Sequence, residues 1–413
     1  MIVIPISTDH PSYEKGAVLV EDIVIVGMAR TPLGRFGGTF REIPAAHLGA
    51  AAIKGALENG GVAPEDIDAV LFGNCRQAGN GPNPVRTAAV KAGIPITAPA
   101  VTINMACPSA MKTVMLASQS IWTGESRTLV AGGMESMSTM PFLLKNIRWE
   151  GIKLGNRLLE DSWSDTVDPL CNMTMGQTAE NLAKKYKISR ESQDEFSLQS
   201  HQKAASAEDN GYLKWETVSS AAFDGPGLPL QGLDHDESIR RDSTLERLAR
   251  LRPAFEDDGT VTAGNSCSMG DGGVALVVTG RTQAEEKGWT PLFSVVSFAQ
   301  IAVEPAFMGE GPGVAIPAAL GKAGMTLADM DFIEVNEAFA VQVLANERVL
   351  NWNRDRVNVH GGAIALSHPT GISGARILMS LYNVLRVNDS ELGVASICGG
   401  GGVSTAMVIR RES

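Results

Sequence analysis

The chain has 413 residues, of which 44% are hydrophobic and 20% are charged, and this composition excludes a disordered or fibrous protein. Its formal net charge is −11, from 35 Lys and Arg against 46 Asp and Glu, so nucleic acid and anionic membrane surfaces are poor prospects as partners. The length predicts two or three domains, and no apolar run reaches the ~18 residues that a membrane span needs.

Short β-branched segments alternate along the chain with alanine-rich stretches of helical periodicity. Residues 1–20 are predicted to be a frayed N-terminal leader that lacks the features of a signal peptide. The predicted elements that follow are strands at 23–26, 70–72, 128–131, 332–335, 393–397 and 405–409, and helices at 45–59, 109–123, 176–186, 190–210 and 375–385. Strand–helix–strand alternation predicts the α/β class with parallel sheets.

An internal repeat relates the two ends of the chain. ALENGGVAPEDIDAV at 56–70 and ALGKAGMTLADMDFI at 319–333 share a constant offset, 329 − 66 = 263. Any α/β chain repeats helix–glycine–strand units, but one offset over the whole segment favours two related halves. The segment between the halves, roughly 140–265, differs in composition and is predicted to be an insertion.

The five cysteines are widely spaced and form no CxxC pair: Cys75, Cys107, Cys171, Cys267 and Cys398. An odd number at such spacings argues against a disulfide framework and against a structural zinc site. A reducing cytoplasm is therefore the expected compartment, and no metal is implied.

Cys107 lies in the segment NMACPSAM, residues 104–111. Proline before an alanine-rich helical stretch predicts Cys107 as the N-cap and Pro108 as the first helical residue. The free N–H groups and the dipole of a helix N-terminus would stabilise a thiolate and lower its pKa. The competing interpretation is a small buried cysteine without a chemical role.

Three further segments carry residues suited to chemistry. His368 lies in a Gly- and Pro-flanked turn and is a candidate base. Cys398 precedes four glycines, whose bare N–H groups can bind an anion; a phosphate loop would need a helix where a strand is predicted. Asn336 follows the strand at 332–335 and is either functional or the N-cap of the next helix.

Together these segments resemble the thiolase family, CoA-dependent enzymes that make or break a carbon–carbon bond next to a thioester. The resemblance runs from about residue 21 to 411 and includes GNGPNP, GGMESMS, LRPAF and NEAFA. It implies a thiolase-like five-layer α-β-α-β-α fold, built from two similar halves with an inserted loop domain. The implied ranges are 21–139 plus 266–290 for the N-terminal half, 140–265 for the loop domain and 291–413 for the C-terminal half.

The resemblance also implies roles for individual residues. Cys107 would be the nucleophile, His368 would accept its proton, and Cys398 would be the second acid–base group. Asn336 with His368 would form one oxyanion hole. The backbone N–H groups of Cys107 and Gly400 would form the other.

Substrate contacts follow from the same resemblance. Arg240 matches a position near the nucleotide of CoA, and Met175 and Met308 match methionines of the acyl pocket. Cys267 stands near the pantetheine arm, where the family usually has serine, and Thr174 stands where short-chain biosynthetic members tend to have histidine. These two departures bear on acyl-chain preference. The family usually has glycine at two positions beside the nucleophile, and this chain has Pro108 and Ala110.

The implied function is that of an acetyl-CoA C-acyltransferase. The reaction would be a ping-pong Claisen condensation of acyl-CoA with acetyl-CoA, or the reverse thiolysis of a short 3-ketoacyl-CoA such as acetoacetyl-CoA. CoA thioesters are substrates here, so no resident cofactor is implied, and the family implies a homo-oligomer, either a dimer or a dimer of dimers. The alternatives are a related condensing enzyme and a non-catalytic acyl-CoA- or lipid-binding protein.

Overall fold

The computed structural model describes residues 2–3, 19–163, 167–218 and 233–412. Of the predicted leader, Ile2–Val3 and Leu19–Val20 fall in this part, where they pair as an antiparallel ladder. The rest of the leader lies outside the described residues.

Ten strands of the described chain form one sheet. They are β1 Ile23–Arg30, β2 Gly34–Arg35, β3 Ala69–Gly73, β4 Ala100–Ile103, β5 Thr128–Ser136, β6 Gly270–Gly280, β7 Phe293–Ala302, β8 Phe332–Val335, β9 Leu392–Cys398 and β10 Val403–Arg411. Two short ladders lie apart from it, pairing Phe142–Leu143 with Glu160–Asp161 and Val167–Asp168 with Met173–Thr174.

The helices connect and cover these strands. They are α1 Ala45–Gly60, α2 Pro84–Lys91, α3 Ser109–Trp122, α4 Ile147–Glu150, α5 Met175–Tyr186, α6 Arg190–Asp209, α7 Tyr212–Glu216, α8 Leu245–Ala249, α9 Arg281–Lys287, α10 Gly311–Lys322, α11 Ala340–Leu350, α12 Ala363–Leu366 and α13 Ser373–Val387. The predicted strands and helices are confirmed, and most extend by one to five residues beyond the predicted bounds.

The sheet is mixed, and the prediction of parallel sheets is wrong in this respect. The strand order is β8-β9-β10-β7-β1-β6-β5-β3-β4, and only the pairs β3–β4, β3–β5 and β8–β9 are parallel. Strand β10 is antiparallel to β9 because the short glycine turn after Cys398 joins them without a crossover helix. Strand β6 returns from the insertion and pairs antiparallel with β5 and β1. The two halves join edge to edge through β1 and β7, which pair only at Phe293 with Ile25 and at Ser294 with Val24.

The helices and the two halves of the sheet form five layers: outer helices, sheet, central helices, sheet and outer helices. α3 and α13 pack on each other in the middle, α3 against β5 and α13 against β8 and β9. α1 and α2 cover the outer face of the N-terminal half, and α10 and α11 cover that of the C-terminal half. One buried apolar cluster fills the centre and two fill the outer faces, which is what packed layers of helix and sheet require.

The close approach of the two central helices, α3 and α13, depends on a glycine. A Cβ atom added at Gly374 in α13 would stand 2.6 Å from the backbone nitrogen of Met111 in α3. The absence of a side chain therefore lets these two helices approach to backbone contact.

The predicted repeat is confirmed in three dimensions. Gly61 after α1 and Gly324 after α10 both adopt left-handed φ, +60° and +67°. Further along, the Asp68 carboxylate accepts from the backbone N–H of Thr128 at 3.0 Å, and that of Asp331 accepts from Leu392 at 2.9 Å. Each aspartate thus holds the start of the neighbouring parallel strand, by the same bond in both halves.

Gly27 provides a test of the packing of α1 on β1. An added Cβ would lie 2.3 Å from the carbonyl oxygen of Ala56, so we expect Gly27→Ala to lower the free energy of unfolding by about 1–3 kcal/mol. The control is Gly321→Ala, where a Cβ in helix α10 meets nothing within 4 Å. That change should raise stability by about 0.5–1 kcal/mol. Urea unfolding of both variants measures the difference, and equal midpoints would contradict the packing argument.

Candidate active site

The predicted site residues come together at the carboxyl ends of the parallel strands. Cys107 follows β4, Asn336 follows β8 and Cys398 ends β9. His368 lies between α12 and α13. Because parallel strands present their carboxyl ends at one edge, α/β folds form their sites there. The site therefore combines Cys107 from the N-terminal half with His368, Asn336 and Cys398 from the C-terminal half.

The nucleophile loop makes a strained turn before α3. Ala106 adopts φ +52°, which is uncommon for a residue with a Cβ, and the Ser109 hydroxyl bridges this turn. Ser109 Oγ accepts from Met105 N at 2.8 Å and donates to the Ala106 carbonyl at 2.5 Å. As a result α3 begins at Ser109 with Pro108 as its N-cap, so the prediction of Cys107 as N-cap is one residue out.

The predicted low pKa of Cys107 is wrong. Burial of the sulfur raises the pKa of Cys107 to about 11, although the Arg76 guanidinium and the backbone N–H groups of Gly400 and Cys107 act to lower it. The two N–H groups that were predicted as an oxyanion hole do face this sulfur. They do not outweigh the loss of solvation, because a thiolate held among protein atoms loses the water that stabilises its charge.

His368 is held in one orientation by its neighbours. Its backbone N–H donates to the Ser268 carbonyl at 2.8 Å, and Nδ1 lies 2.6 Å from Ser373 Oγ. The Ser373 hydroxyl donates its single proton to the Pro369 carbonyl at 3.0 Å, so it accepts from Nδ1–H. Nε2 therefore carries the lone pair. This atom is buried and has no hydrogen-bond partner among the described residues.

The imidazole is neutral at physiological pH. Burial, followed by the nearby charges of Arg376 and Arg76, lowers the pKa of His368 to about 3. The preceding residue, Ser367, adopts φ +80°, so this loop is strained like the nucleophile loop. A neutral, oriented imidazole with a free lone pair is suited to accept a proton.

Cys398 and Cys267 lie beside the nucleophile. Burial raises the pKa of each thiol, and the charge of a Cys107 thiolate raises both further. Cys398 is fully buried at the end of β9, while Cys267 is half-buried and donates its backbone N–H to the Ala338 carbonyl at 3.0 Å. The site thus groups three protonated thiols, and the backbone of His368 joins this group by its bond to Ser268, the residue after Cys267.

Asn336 presents a side chain without partners. Both Nδ2 and Oδ1 are buried and make no hydrogen bond with the described residues. The next helix, α11, has Phe339 as its N-cap, so the interpretation of Asn336 as that N-cap is wrong. Buried amide groups are nearly always hydrogen-bonded, and an unpaired one beside the site is suited to bind a substrate oxygen.

Glu135 connects two loops of the site, and the sequence analysis did not single it out. This buried carboxylate at the end of β5 accepts hydrogen bonds from five donors: Asn74 Nδ2 at 2.6 Å, Cys75 N at 3.1 Å, Arg76 N at 3.0 Å, Thr370 Oγ1 at 2.8 Å and Gly371 N at 2.7 Å. It fixes the loop after β3 to the His368 loop. An acidic residue inside an otherwise apolar strand was the available signal.

The segment predicted to be the loop domain contacts the glycine turn after Cys398. Asp168 Oδ2 accepts from Gly401 N at 2.6 Å. The Met175 sulfur lies 3.5 Å from where a Cβ of Gly400 would stand. Met308 is buried in the same outer apolar cluster as Cys398. Thr174 forms a capping box with Gln177 at the start of α5, a pattern that T-x-x-Q would have indicated.

Arg240 lies in a different place from the thiols. Its exposed side chain lines a surface cavity of about 510 Å³ together with His201 and Arg241. Its backbone N–H donates to His201 Nδ1 at 3.1 Å. The cavity lies against helix α6, in the predicted loop domain.

The described residues lack both a membrane-spanning helix and a cluster of metal-binding side chains. No helix among them is long and apolar enough to cross a membrane. No group of three or more His, Cys, Asp and Glu side chains in these ranges is arranged to hold a metal ion.

Comparison with known sequences gives matches over nearly the whole chain. The profile described as "Thiolase, N-terminal domain" matches residues 23–282, and "Thiolase, C-terminal domain" matches 289–411. An acetyl-CoA acetyltransferase of Chromobacterium violaceum is 44% identical over 392 residues, covering 94% of this chain and 100% of the relative. A probable acetyl-CoA acyltransferase of Staphylococcus epidermidis is 45% identical over 391 residues, covering 94% and 98%.

Solved structures resemble the chain equally closely. The crystal structure of Bacillus anthracis acetyl-CoA acetyltransferase superposes with a TM-score of 0.91 at 40% identity, over 95% of this chain and 99% of that one. Human mitochondrial 3-ketoacyl-CoA thiolase in complex with CoA gives the same TM-score and identity, over 96% and 99%.

The raised pKa of Cys107 predicts how its reactivity changes with pH. Because the thiolate is the reactive form, its alkylation by iodoacetamide should become about tenfold faster per pH unit between pH 7 and 9 and continue to rise toward pH 11. Mass spectrometry of the Cys107 peptide measures the rate. N-acetylcysteine, which levels off near its ordinary pKa of about 8.5, is the control. A plateau between pH 6 and 8 would indicate a thiolate–imidazolium pair instead.

Proposed function

Since the chain belongs to the thiolase family, we propose that it is an acetyl-CoA C-acyltransferase that works by a ping-pong mechanism on short-chain substrates such as acetoacetyl-CoA. The observation that carries this proposal is the meeting of Cys107 and Cys398 beside two backbone N–H groups, together with the oriented His368 imidazole whose Nε2 is buried without a partner. The names of the relatives support a two-carbon acyl group. Met175, which takes up space next to Gly400, supports a short chain.

The first half-reaction loads the nucleophile. His368 Nε2 accepts the proton of Cys107 while the sulfur attacks the thioester carbonyl, and CoA leaves as the thiol after taking up that proton. Thiol and imidazole are both neutral beforehand, with pKa values of about 11 and about 3, so a free ion pair is unfavourable. Proton transfer is therefore coupled to formation of the carbon–sulfur bond. The N–H groups of Cys107 and Gly400 stabilise the oxyanion of the tetrahedral intermediate.

The second half-reaction forms the carbon–carbon bond. Cys398 gives its own proton to His368 Nε2 and, as the thiolate, removes a proton from C2 of acetyl-CoA. The resulting enolate attacks the acyl group on Cys107, and the Cys107 sulfur leaves and takes up the proton held on His368. Asn336 Nδ2, together with His368 Nε2 while it holds this proton, would donate hydrogen bonds to the enolate oxygen.

Substrate binding and assembly complete the proposal. CoA would lie along the loop domain with its nucleotide toward Arg240, and Cys267 would contact the pantetheine arm. The chain would form a dimer or a dimer of dimers, which is supported by exposed apolar side chains in the loop domain, among them Trp149, Ile152 and Leu154. The five free cysteines favour a reducing compartment such as the cytoplasm.

The two thiols should be separable by mutation. Cys107→Ser should abolish thiolysis of acetoacetyl-CoA and labelling by radioactive acetyl-CoA, because the acyl-enzyme cannot form. Cys398→Ser should leave labelling of Cys107 largely intact and stop condensation. Acid-stable protein-bound label and product formation are measured on the same preparations. If Cys398→Ser condensed at the wild-type rate, the assignment of the second base would be wrong.

Asn336 tests the oxyanion hole. Asn336→Ala should lower kcat for condensation by about 100–1000-fold, because a hydrogen-bond donor to the enolate is lost. Acetyl transfer from acetyl-CoA to Cys107 uses the other hole and should change by less than about tenfold. Equal decreases of both rates would contradict the assignment of Asn336 to the oxyanion hole of condensation alone.

A further inference from the structure

Arg76 is a cation at the edge of the site whose guanidinium lacks an anionic partner. Its backbone is fixed, since its N–H donates to Glu135 and its carbonyl accepts from Asn80 Nδ2 at 2.7 Å. The guanidinium carbon lies 4.7 Å from the centre of the Trp163 ring. Nε is buried without a hydrogen-bond partner, and no ion pair in the described ranges includes this residue.

The charge of Arg76 reaches the nucleophile. The preceding residue, Cys75, contacts the Cys107 loop through its sulfur, 3.1 Å from the Ala106 carbonyl. After burial, the Arg76 guanidinium is the strongest influence on the pKa of Cys107, which it lowers. It also contributes to the lowered pKa of His368. Arg76 therefore lies next to the space that the acyl group must occupy.

An unpaired, half-buried arginine is costly unless a ligand supplies the counter-charge. Glu135 is the nearby carboxylate, and five other donors already occupy its oxygens. Stacking on Trp163 leaves the edges of the guanidinium free, and these edges match the two oxygens of a carboxylate. The phosphates of CoA are a poor match, because the pantetheine arm separates them from the thioester.

We propose that Arg76 and Trp163 bind a carboxylate at the far end of the acyl chain, so that the preferred substrates are 3-ketoacyl-CoA esters of dicarboxylic acids. This inference rests on the proposed function and specifies its substrate class. In thiolysis the C2–C3 bond breaks, C3 becomes the thioester of Cys107, and C2 receives the proton of Cys398. The terminal carboxylate takes no part in bond changes and remains paired with Arg76.

Two six-carbon 3-ketoacyl-CoA substrates test the proposal, one ending in a carboxylate and the other in a methyl group. Wild-type kcat/KM should be higher for the carboxylate-ended substrate. Arg76→Leu should lower the ratio of the two kcat/KM values, carboxylate-ended over methyl-ended, by about 10–100-fold, because a hydrogen bond between charged groups is lost for one substrate only. Any effect of the lost charge on Cys107 reduces both values alike and cancels in this ratio. Arg76→Lys keeps the charge but not the planar fork, and should retain part of the preference. Arg41→Leu, an exposed change of equal charge, is the control.

Each outcome decides between explanations. Equal losses on both substrates would mean that Arg76 acts only on the Cys107 thiolate, and would overturn the proposal. A wild-type preference for the methyl-ended substrate would also overturn the proposal, and this measurement needs no variant. Urea unfolding shows whether Arg76→Leu is folded. If it is not, the wild-type comparison still tests the proposal. If the wild type cleaves neither substrate nor acetoacetyl-CoA, the proposed function itself fails.

Discussion

Burial of uncharged acid–base groups is the condition on which this site depends. The thiols of Cys107 and Cys398 and the imidazole of His368 are buried, so they are shielded from the water that would stabilise their charged forms. In such surroundings the charged form of each group is disfavoured, so protons move only together with the bonds of the substrate. Water exclusion also protects a thioester on Cys107 from hydrolysis.

Two loops that carry the buried groups contain strained backbone conformations. Ala106 and Ser367 precede the nucleophile and the base, and both adopt positive φ. Such conformations persist only where the surrounding structure holds them. The five hydrogen bonds to Glu135 and the Ser109 bridge provide that restraint, so stability elsewhere in the fold sustains the geometry of two strained turns.

Much of this architecture was predictable from the sequence, and the missed parts share a physical cause. The repeat predicted the paired halves because glycine and aspartate at equal spacing specify the same turn and the same strand contact. Local patterns cannot give strand direction, so the antiparallel direction of the predicted strand β10 was missed, and β6 was not predicted as a strand. They also cannot give desolvation, so the pKa of Cys107 was predicted with the wrong sign. Glu135 and Arg76 act through contacts with residues distant in sequence, which one sequence does not display.

The contact between α3 and α13 affects the geometry of the active site as well as the packing. Cys107 belongs to one half of the molecule, and the other two reacting groups belong to the second half. The two halves of the sheet are paired only at two positions, between β1 and β7. The contact of Gly374 with Met111 sets the distance between α3 and α13, and therefore the distance between the reacting atoms of the two halves. A displacement of even 1 Å can cost about 100-fold in rate. Turnover number is thus tunable at a buried helix crossing that never meets the substrate.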